Sequence, residues 1–241
     1  MKRFFPIMND DTEKGMHFAL FAYWIFAFGV MPSWMPLFGD GFWDKLQVIS
    51  WFEIIYHVIN GVVIIFVLKS YLADSFLNVQ LNPKGFFRIV VLSALAMLAL
   101  AVGLWYLLGD LTMNFYPVSE MSVAVTSGYL IVQKPFFGIA CACLFTPFAV
   151  VGLFYASGFA PVCRRNCWLG YVVVTVLMAV PCVLDILWRG QANIIVTAFV
   201  LNLPMHWIAC WTYQKADTVW APIVTLAIFN LGTSLIALMA L

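Results

Sequence analysis

The feature that most constrains the fold is a series of apolar runs, each about 20 residues or longer and almost free of charged side chains. Only 10% of the 241 residues are charged and 64% are hydrophobic, whereas soluble domains carry about 25% charged residues. Such a chain has too few polar side chains to cover a surface in water. The runs do not alternate with a period of two, as the strands of a membrane barrel would. We therefore predict an all-α integral membrane protein.

A bilayer core takes about 20 mostly apolar residues per helix, and the runs divide into seven predicted transmembrane helices. These predicted spans are 16–38, 47–73, 86–108, 135–162, 168–188, 191–213 and 219–241. The N-terminal run is too long for the apolar part of a cleaved signal peptide, so we expect it to be retained. Residues 1–108 would hold helices 1–3, residues 109–134 an outer loop, and residues 135–241 helices 4–7.

Lysine and arginine set the expected orientation, because the cytoplasmic loops of membrane proteins carry an excess of both. With the N-terminus in the cytoplasm and the C-terminus outside, nine of the twelve lie on the cytoplasmic side and three on the outer side. We expect a multi-pass protein of the plasma membrane, which in a bacterium is the inner membrane. The lipid bilayer is then one partner. The net charge of +1 and the lack of a basic run give no indication of nucleic-acid binding.

Ionisable side chains deep in a predicted span are candidates for function, because they are costly in a bilayer. Glu53 and His57 lie four residues apart on the second span and share a helix face, and Asn60 follows three residues later. They could share a proton or bind a metal, or they could only pair with each other between helices. Two ligands on one helix do not make a metal site, so we favour pairing. We expect neither a metal nor a cofactor.

Three further features have a functional and a structural interpretation. Asp185 lies four residues before Arg189 and could simply pair with it at the membrane boundary. His206, in L-P-M-H-W, is interpreted as a hydrogen-bonded contact between helices rather than a ligand. Cys163 and Cys167 flank two arginines in a predicted cytoplasmic loop, where we expect the thiols to stay reduced.

Two motifs in the last two-fifths of the chain point to a family. The first is T-P-F-A-V-V-G-L-F-Y-A-S-G-F-A-P at 146–161, and the second is D-T-V-W-A-P-I-V-T-L-A-I-F-N at 217–230. In order and spacing they resemble the CPBP family, the CAAX-processing and bacteriocin-processing intramembrane proteases also called Abi proteins. In that family the motifs have the forms P-x-x-E-E-x-x-F-R-G and W-A-P-I-x-x-H-x-x-x-N. The segment L-N-P-K-G-F-F-R before the third span is also similar to a cytoplasmic loop of the family.

The resemblance implies a fold and a mechanism, but not the side chains that the mechanism needs. In the family, a glutamate and a histidine activate water, and histidine and asparagine lie near the oxyanion. The family's paired glutamates fall here on Val150 and Val151, and its arginine falls on Tyr155. A histidine of the penultimate motif falls on Asp185. The last histidine falls on Leu226, and the asparagine is kept as Asn230.

Hydrocarbon side chains at 150, 151 and 226 cannot perform the family's chemistry, since a general base must hold the abstracted proton. Asn230 alone would lower the barrier by about 3 kcal/mol, whereas enzymes supply about 8–23 kcal/mol. We therefore expect a catalytically inactive CPBP-type protein whose former substrate cavity binds a membrane protein, a peptide or a lipid-like ligand. One alternative is an intramembrane CAAX or leader peptidase with its site relocated to Asp185 or to Glu53 and His57. A small transporter using the same residues is another, although the chain lacks internal repeats.

Overall fold

The computed structural model describes residues 10–25, 55, 58–109, 134–188 and 195–239, and within them the chain forms helices and turns but no strand. The helices are α1 (Asp10–Ile25), α2 (Val58–Val67), α3 (Lys69–Leu81), α4 (Pro83–Gly109), α5 (Pro135–Cys163), α6 (Cys167–Trp188), α7 (Ile195–Ala216) and α8 (Trp220–Met239). The helical class predicted from the sequence is confirmed for these residues. Most of the outer loop predicted at 109–134 lies outside the described residues.

Two of the described helices are long and apolar enough to cross a membrane. They are the Pro83–Leu104 part of α4 and the whole of α5, and α2 with α3 would make a third if the bent pair is one span. The structure is thus that of a helical protein compatible with a membrane. The predicted extents of the last five spans agree with α4 to α8 to within four residues at every end.

The N-terminal part departs from the predicted pattern. The second span was predicted as one helix through residue 73, but α2 and α3 meet at Leu68 with a bend of 77°. No proline or glycine marks the bend, and contacts made by α3 hold it instead. The indole N–H of Trp220 donates to the carbonyl of Leu72 at 2.8 Å. The backbone N–H of Val219 donates to the hydroxyl of Ser75 at 2.9 Å.

Asparagine and proline residues set where two of the helices begin. Asn82 Oδ1 accepts the N–H of Gly85 at 3.0 Å, and Pro83 takes the first position of α4, where its missing N–H costs no helical bond. Asn166 Oδ1 accepts the N–H of Trp168 at 3.0 Å and caps α6 in the same way.

Helix α5 contains two π-helical segments, Cys141–Phe145 and Val151–Phe159. The first ends where the N–H of Thr146 donates to the carbonyl of Cys141, five residues back and directly before Pro147. The second ends in the same way directly before Pro161. Because proline has no N–H to donate, the regular hydrogen-bond register cannot pass through it, and the helix widens upstream.

The centre of the core is the second half of α5. Every residue from 149 to 160 is buried, enclosed by α1, α6, α7 and α8. Helix α2 approaches α5 closely because it carries Gly61, where a Cβ would lie only 2.8 Å from the carbonyl oxygen of Phe145. The motif at 146–161 therefore forms the central helix of the bundle.

Candidate functional site

Four of the positions at which the resemblance expects catalytic side chains, 150, 151, 155 and 226, lie inside the core. Val150, Val151 and Leu226 are 3%, 0% and 7% exposed, and Tyr155 is fully buried in the same apolar cluster. Valine and leucine offer no atom that can take or give a proton. The local chemistry at 150, 151 and 226 is that of packed hydrocarbon.

Asn230, the one polar residue shared with the family pattern, is bonded to the backbone of α5. Its Nδ2 donates to the carbonyl of Ala142 at 2.7 Å. In the π-helical register this carbonyl would take the N–H of residue 147, but that residue is Pro147, which has none. Asn230 thus satisfies a buried carbonyl that the proline leaves unpaired.

Tyr155 and His206 form a buried hydrogen bond between α5 and α7. The Tyr155 hydroxyl lies 2.6 Å from His206 Nδ1, and the two rings meet edge to face. The interpretation of His206 as a contact between helices agrees with this bond. The other ring nitrogen, Nε2, is buried and has no hydrogen-bond partner among the described residues. The pair can share a proton, but no carboxylate in the described part of the chain bonds to it.

The two polar contacts lie at different levels of the bundle. Ala142, which Asn230 contacts, precedes Tyr155 by thirteen residues on α5. At about 1.5 Å per residue this separates them by on the order of 20 Å along the helix. The amide of Asn230 and the phenol of Tyr155 therefore do not converge on one reacting atom.

The residues of W-A-P-I have structural roles. The side chain of Trp220 bonds to α3 and meets the rings of Phe76 and Phe148 at 5.9 and 5.8 Å. Ala221 and Ile223 are buried beside it. The motif that carries the resemblance therefore fastens the start of α8 to α3 and α5.

The remaining polar candidates belong to the N-terminal part of the chain and to α6. Glu53 and His57 lie outside the described residues, as does the side chain of Asp185, whose backbone belongs to α6. Asn60 is partly buried on α2. Within the described ranges, no group of three or more His, Cys, Asp or Glu side chains could hold a metal ion.

The cysteines of the α5–α6 turn are joined, in contrast to the reduced thiols expected there. Cys163 and Cys167 form a disulfide bond. Cys163 ends α5, and the backbone then folds back with the N–H of Asn166 donating to the carbonyl of Val162 at 2.9 Å. This turn of the backbone brings together two side chains four positions apart. The sequence predicted a loop here and no contact between the two cysteines.

A groove that no sequence pattern indicated lies on the outside of α4, α6 and α7. We call it the aromatic groove; its volume is about 520 Å³, and Leu92, Ala96, Trp168, Tyr171, Trp207 and Trp211 are among its lining residues. Its residues lie on three helices, in segments more than 30 residues apart in sequence, so only the packing of the helices reveals it.

Comparisons with known proteins supply no relative: no protein-family model, no curated protein and no solved structure matches the chain.

Proposed function

We propose that the chain is a catalytically inactive CPBP-type membrane protein that binds a membrane partner, a peptide or a lipid-like ligand, or serves as a scaffold subunit of a membrane complex. The observation that carries the proposal is the packing of Val150, Val151 and Leu226, which are at most 7% exposed in one apolar cluster. These are the positions that the resemblance assigns to the glutamates and the histidine that activate water. A hydrocarbon core cannot generate that nucleophile.

The polar groups near these positions support the same proposal, because each has a structural partner. Asn230 donates to the carbonyl of Ala142, and Tyr155 is bonded to His206. A residue acting on a substrate needs an atom that the substrate can reach, and all of these side chains are buried. Their bonds hold α5 against α7 and α8.

We also propose a seven-helix topology with the N-terminus in the cytoplasm and the C-terminus outside, in the plasma membrane or the bacterial inner membrane. The charge distribution supports it: nine of the twelve Lys and Arg residues then lie on the cytoplasmic side. Helices α6, α7 and α8 would be spans in addition to those recognised by length and apolarity.

A cleavage assay tests the proposal. The purified full-length protein in lipid nanodiscs is incubated with a prenylated CAAX peptide and with a bacteriocin-type leader peptide, with and without a chelator. We expect both peptides to remain intact. Cleavage that is lost in Asp185→Asn would establish the relocated peptidase on α6, and cleavage lost only in Glu53→Gln or His57→Ala would place it on the second predicted span; either result overturns the proposal.

A further inference from the structure

The aromatic groove presents an apolar lining to its surroundings. Trp168 is 69% exposed, and Trp207 and Trp211 are each 40% exposed. Two of the polar groups at its walls are already bonded: Trp207 Nε1 donates to Thr175 at 3.0 Å, and Ser93 accepts from Thr212 at 2.7 Å. What remains is indole, phenol and alkyl surface suited to an apolar ligand, in a volume within the usual range of ligand sites, about 300–1,000 Å³.

The depth of the groove corresponds to one leaflet of a bilayer. Helix α7 ends at Ala216, which is five residues beyond Trp211 and nine beyond Trp207. At about 1.5 Å per residue, these rings lie about 8 and 14 Å below the end of the helix. Half of a bilayer's hydrocarbon core is about 15 Å thick. An acyl chain entering from the end of α7 would therefore lie alongside both rings.

Basic residues extend the walls of the groove at that same end. On α4, Arg88 is one turn before Leu92, and on α7, Lys215 is one turn after Trp211. Arg165 precedes α6 by two residues, and all three cations are exposed. The segments 83–93, 160–175 and 207–220 together carry five basic residues and one acidic residue.

Contacts between the helices bring these cations to one end of the bundle. Phe86, near the start of α4, is buried with Ala221, which follows the α7–α8 turn. Tyr171, near the start of α6, donates its hydroxyl to Gln214 at 3.2 Å. The beginnings of α4 and α6 therefore lie beside the end of α7.

We infer that the aromatic groove is a binding site for an anionic phospholipid, with one acyl chain along Trp207 and Trp211 and the phosphate held by Arg88, Arg165 and Lys215. The inference deepens the proposed function, on which it rests, by naming the class of ligand and a site outside the buried family positions. Charge complementarity selects this ligand, because basic pockets between membrane helices bind anionic headgroups. A second copy of the chain is disfavoured as the occupant, because it would bring the same positive charge to this end.

Photo-crosslinking in lipid nanodiscs tests the inference. The full-length protein is placed in phosphatidylcholine with a trace of phosphatidylglycerol that carries a diazirine on an acyl chain, and labelled peptides are identified by mass spectrometry. Phosphatidylcholine with the same photoreactive chain serves as the comparison. We expect labelling concentrated in 92–96, 168–171 and 207–211. Each Lys or Arg that contacts the phosphate should raise the preference for the anionic lipid about five-fold.

Two pairs of variants separate the headgroup from the acyl chain. Arg88→Gln/Arg165→Gln/Lys215→Gln should bring the two lipids to parity, whereas Lys14→Gln/Lys69→Gln/Lys134→Gln removes three exposed cations elsewhere and should keep the preference. Ala96→Phe should fill the groove and reduce its labelling by both lipids. Ala99→Phe adds the same ring to an exposed position of α4 that does not line the groove, and should not reduce labelling.

Two results would overturn the site: equal labelling by both lipids, or labelling spread evenly over the helices. The peptide-cleavage assay on the same samples keeps the two proposals distinct. Cleavage with retained lipid preference would overturn only the inactive-protein proposal. No cleavage and no lipid preference would overturn only the lipid site.

Discussion

At the scale of single residues, Asn230 compensates for a hydrogen bond that Pro147 removes. In the π-helical turn before the proline, the N–H of Thr146 donates to the carbonyl of Cys141. The carbonyl of Ala142 is therefore left without a donor from its own helix. The amide of Asn230 on α8 supplies that donor at 2.7 Å. A buried carbonyl without a partner is costly, so this contact accounts for an asparagine deep in an apolar helix.

Replacing Asn230 with alanine should lower the free energy of unfolding by about 1–2 kcal/mol, because the carbonyl of Ala142 would lose its donor. In a Pro147→Ala background the same replacement should cost less, since residue 147 then has an N–H for that carbonyl. Unfolding in SDS–detergent mixtures measures both values, and Thr233→Ala, which removes only bonds within α8, is the control. An equal cost of Asn230→Ala in both backgrounds would contradict this role.

The Tyr155–His206 bond gives a second prediction at this scale. Tyr155→Phe and His206→Phe should each destabilise the protein, and the double variant should cost less than the sum of the two by about 0.5–2 kcal/mol. A double-mutant cycle of unfolding free energies measures this coupling. Additive effects would show that the contact contributes nothing to stability.

The sequence predicted the kind of contact that His206 makes but could not identify its partner. The two residues are 51 positions apart and lie on different helices, so only the packing of α5 on α7 brings them together. The hydrocarbon at 150, 151 and 226, by contrast, could be read directly from the motifs. Its burial follows from the central place of α5, which no local pattern specifies.

At the scale of elements, close packing of α2 on α5 depends on glycine. A Cβ on Gly61 would lie 2.8 Å from a backbone oxygen of Phe145, which cannot move without moving α5. A Cβ on Gly103 of α4 would meet nothing within 4 Å. Both positions are glycines in apolar helices, but they differ in the room available for an added Cβ.

Gly61→Ala should lower the free energy of unfolding by about 1–3 kcal/mol, because the added methyl group forces the helices apart. Gly103→Ala should be neutral or should stabilise the protein by up to about 1 kcal/mol, since alanine favours the helix. Thermal unfolding in detergent compares the two. Equal effects would show that α2 does not pack against α5 in this way.

The helix ends were more predictable than the bend between α2 and α3. The boundaries of α4 to α8 follow from where apolar runs end and where Asn and Pro residues stand. The bend at Leu68 has no local signal, because contacts of Leu72 and Ser75 with the start of α8 impose it. Tertiary contacts of this kind are absent from any single window of sequence.

At the scale of the whole molecule, two features favour opposite placements of the α5–α6 turn. Its two arginines favour the cytoplasm, whereas the Cys163–Cys167 disulfide is of a kind that persists in oxidising compartments. The proposed topology follows the arginines, because they belong to a bias that extends along the whole chain. With the turn in the cytoplasm, the bond would be open to reduction to two thiols.

Labelling with a membrane-impermeant maleimide tests this topology. Lys134→Cys, before α5, should react in intact cells, whereas Arg88→Cys, near the start of α4, should react only after permeabilisation. Both positions are exposed in the structure, so access to the reagent depends on the side of the membrane. The reverse pattern would place the N-terminus outside and assign the disulfide to the oxidising side.

The proposal that hydrocarbon at 150, 151 and 226 leaves the protein without the family's activity is tested by the intact mass of a prenylated CAAX peptide after prolonged incubation with the wild-type protein in nanodiscs. We expect a mass unchanged from that of the peptide incubated with empty nanodiscs. Appearance of the cleaved peptide at a rate proportional to the amount of wild-type protein, and absent with Asp185→Asn, would contradict it.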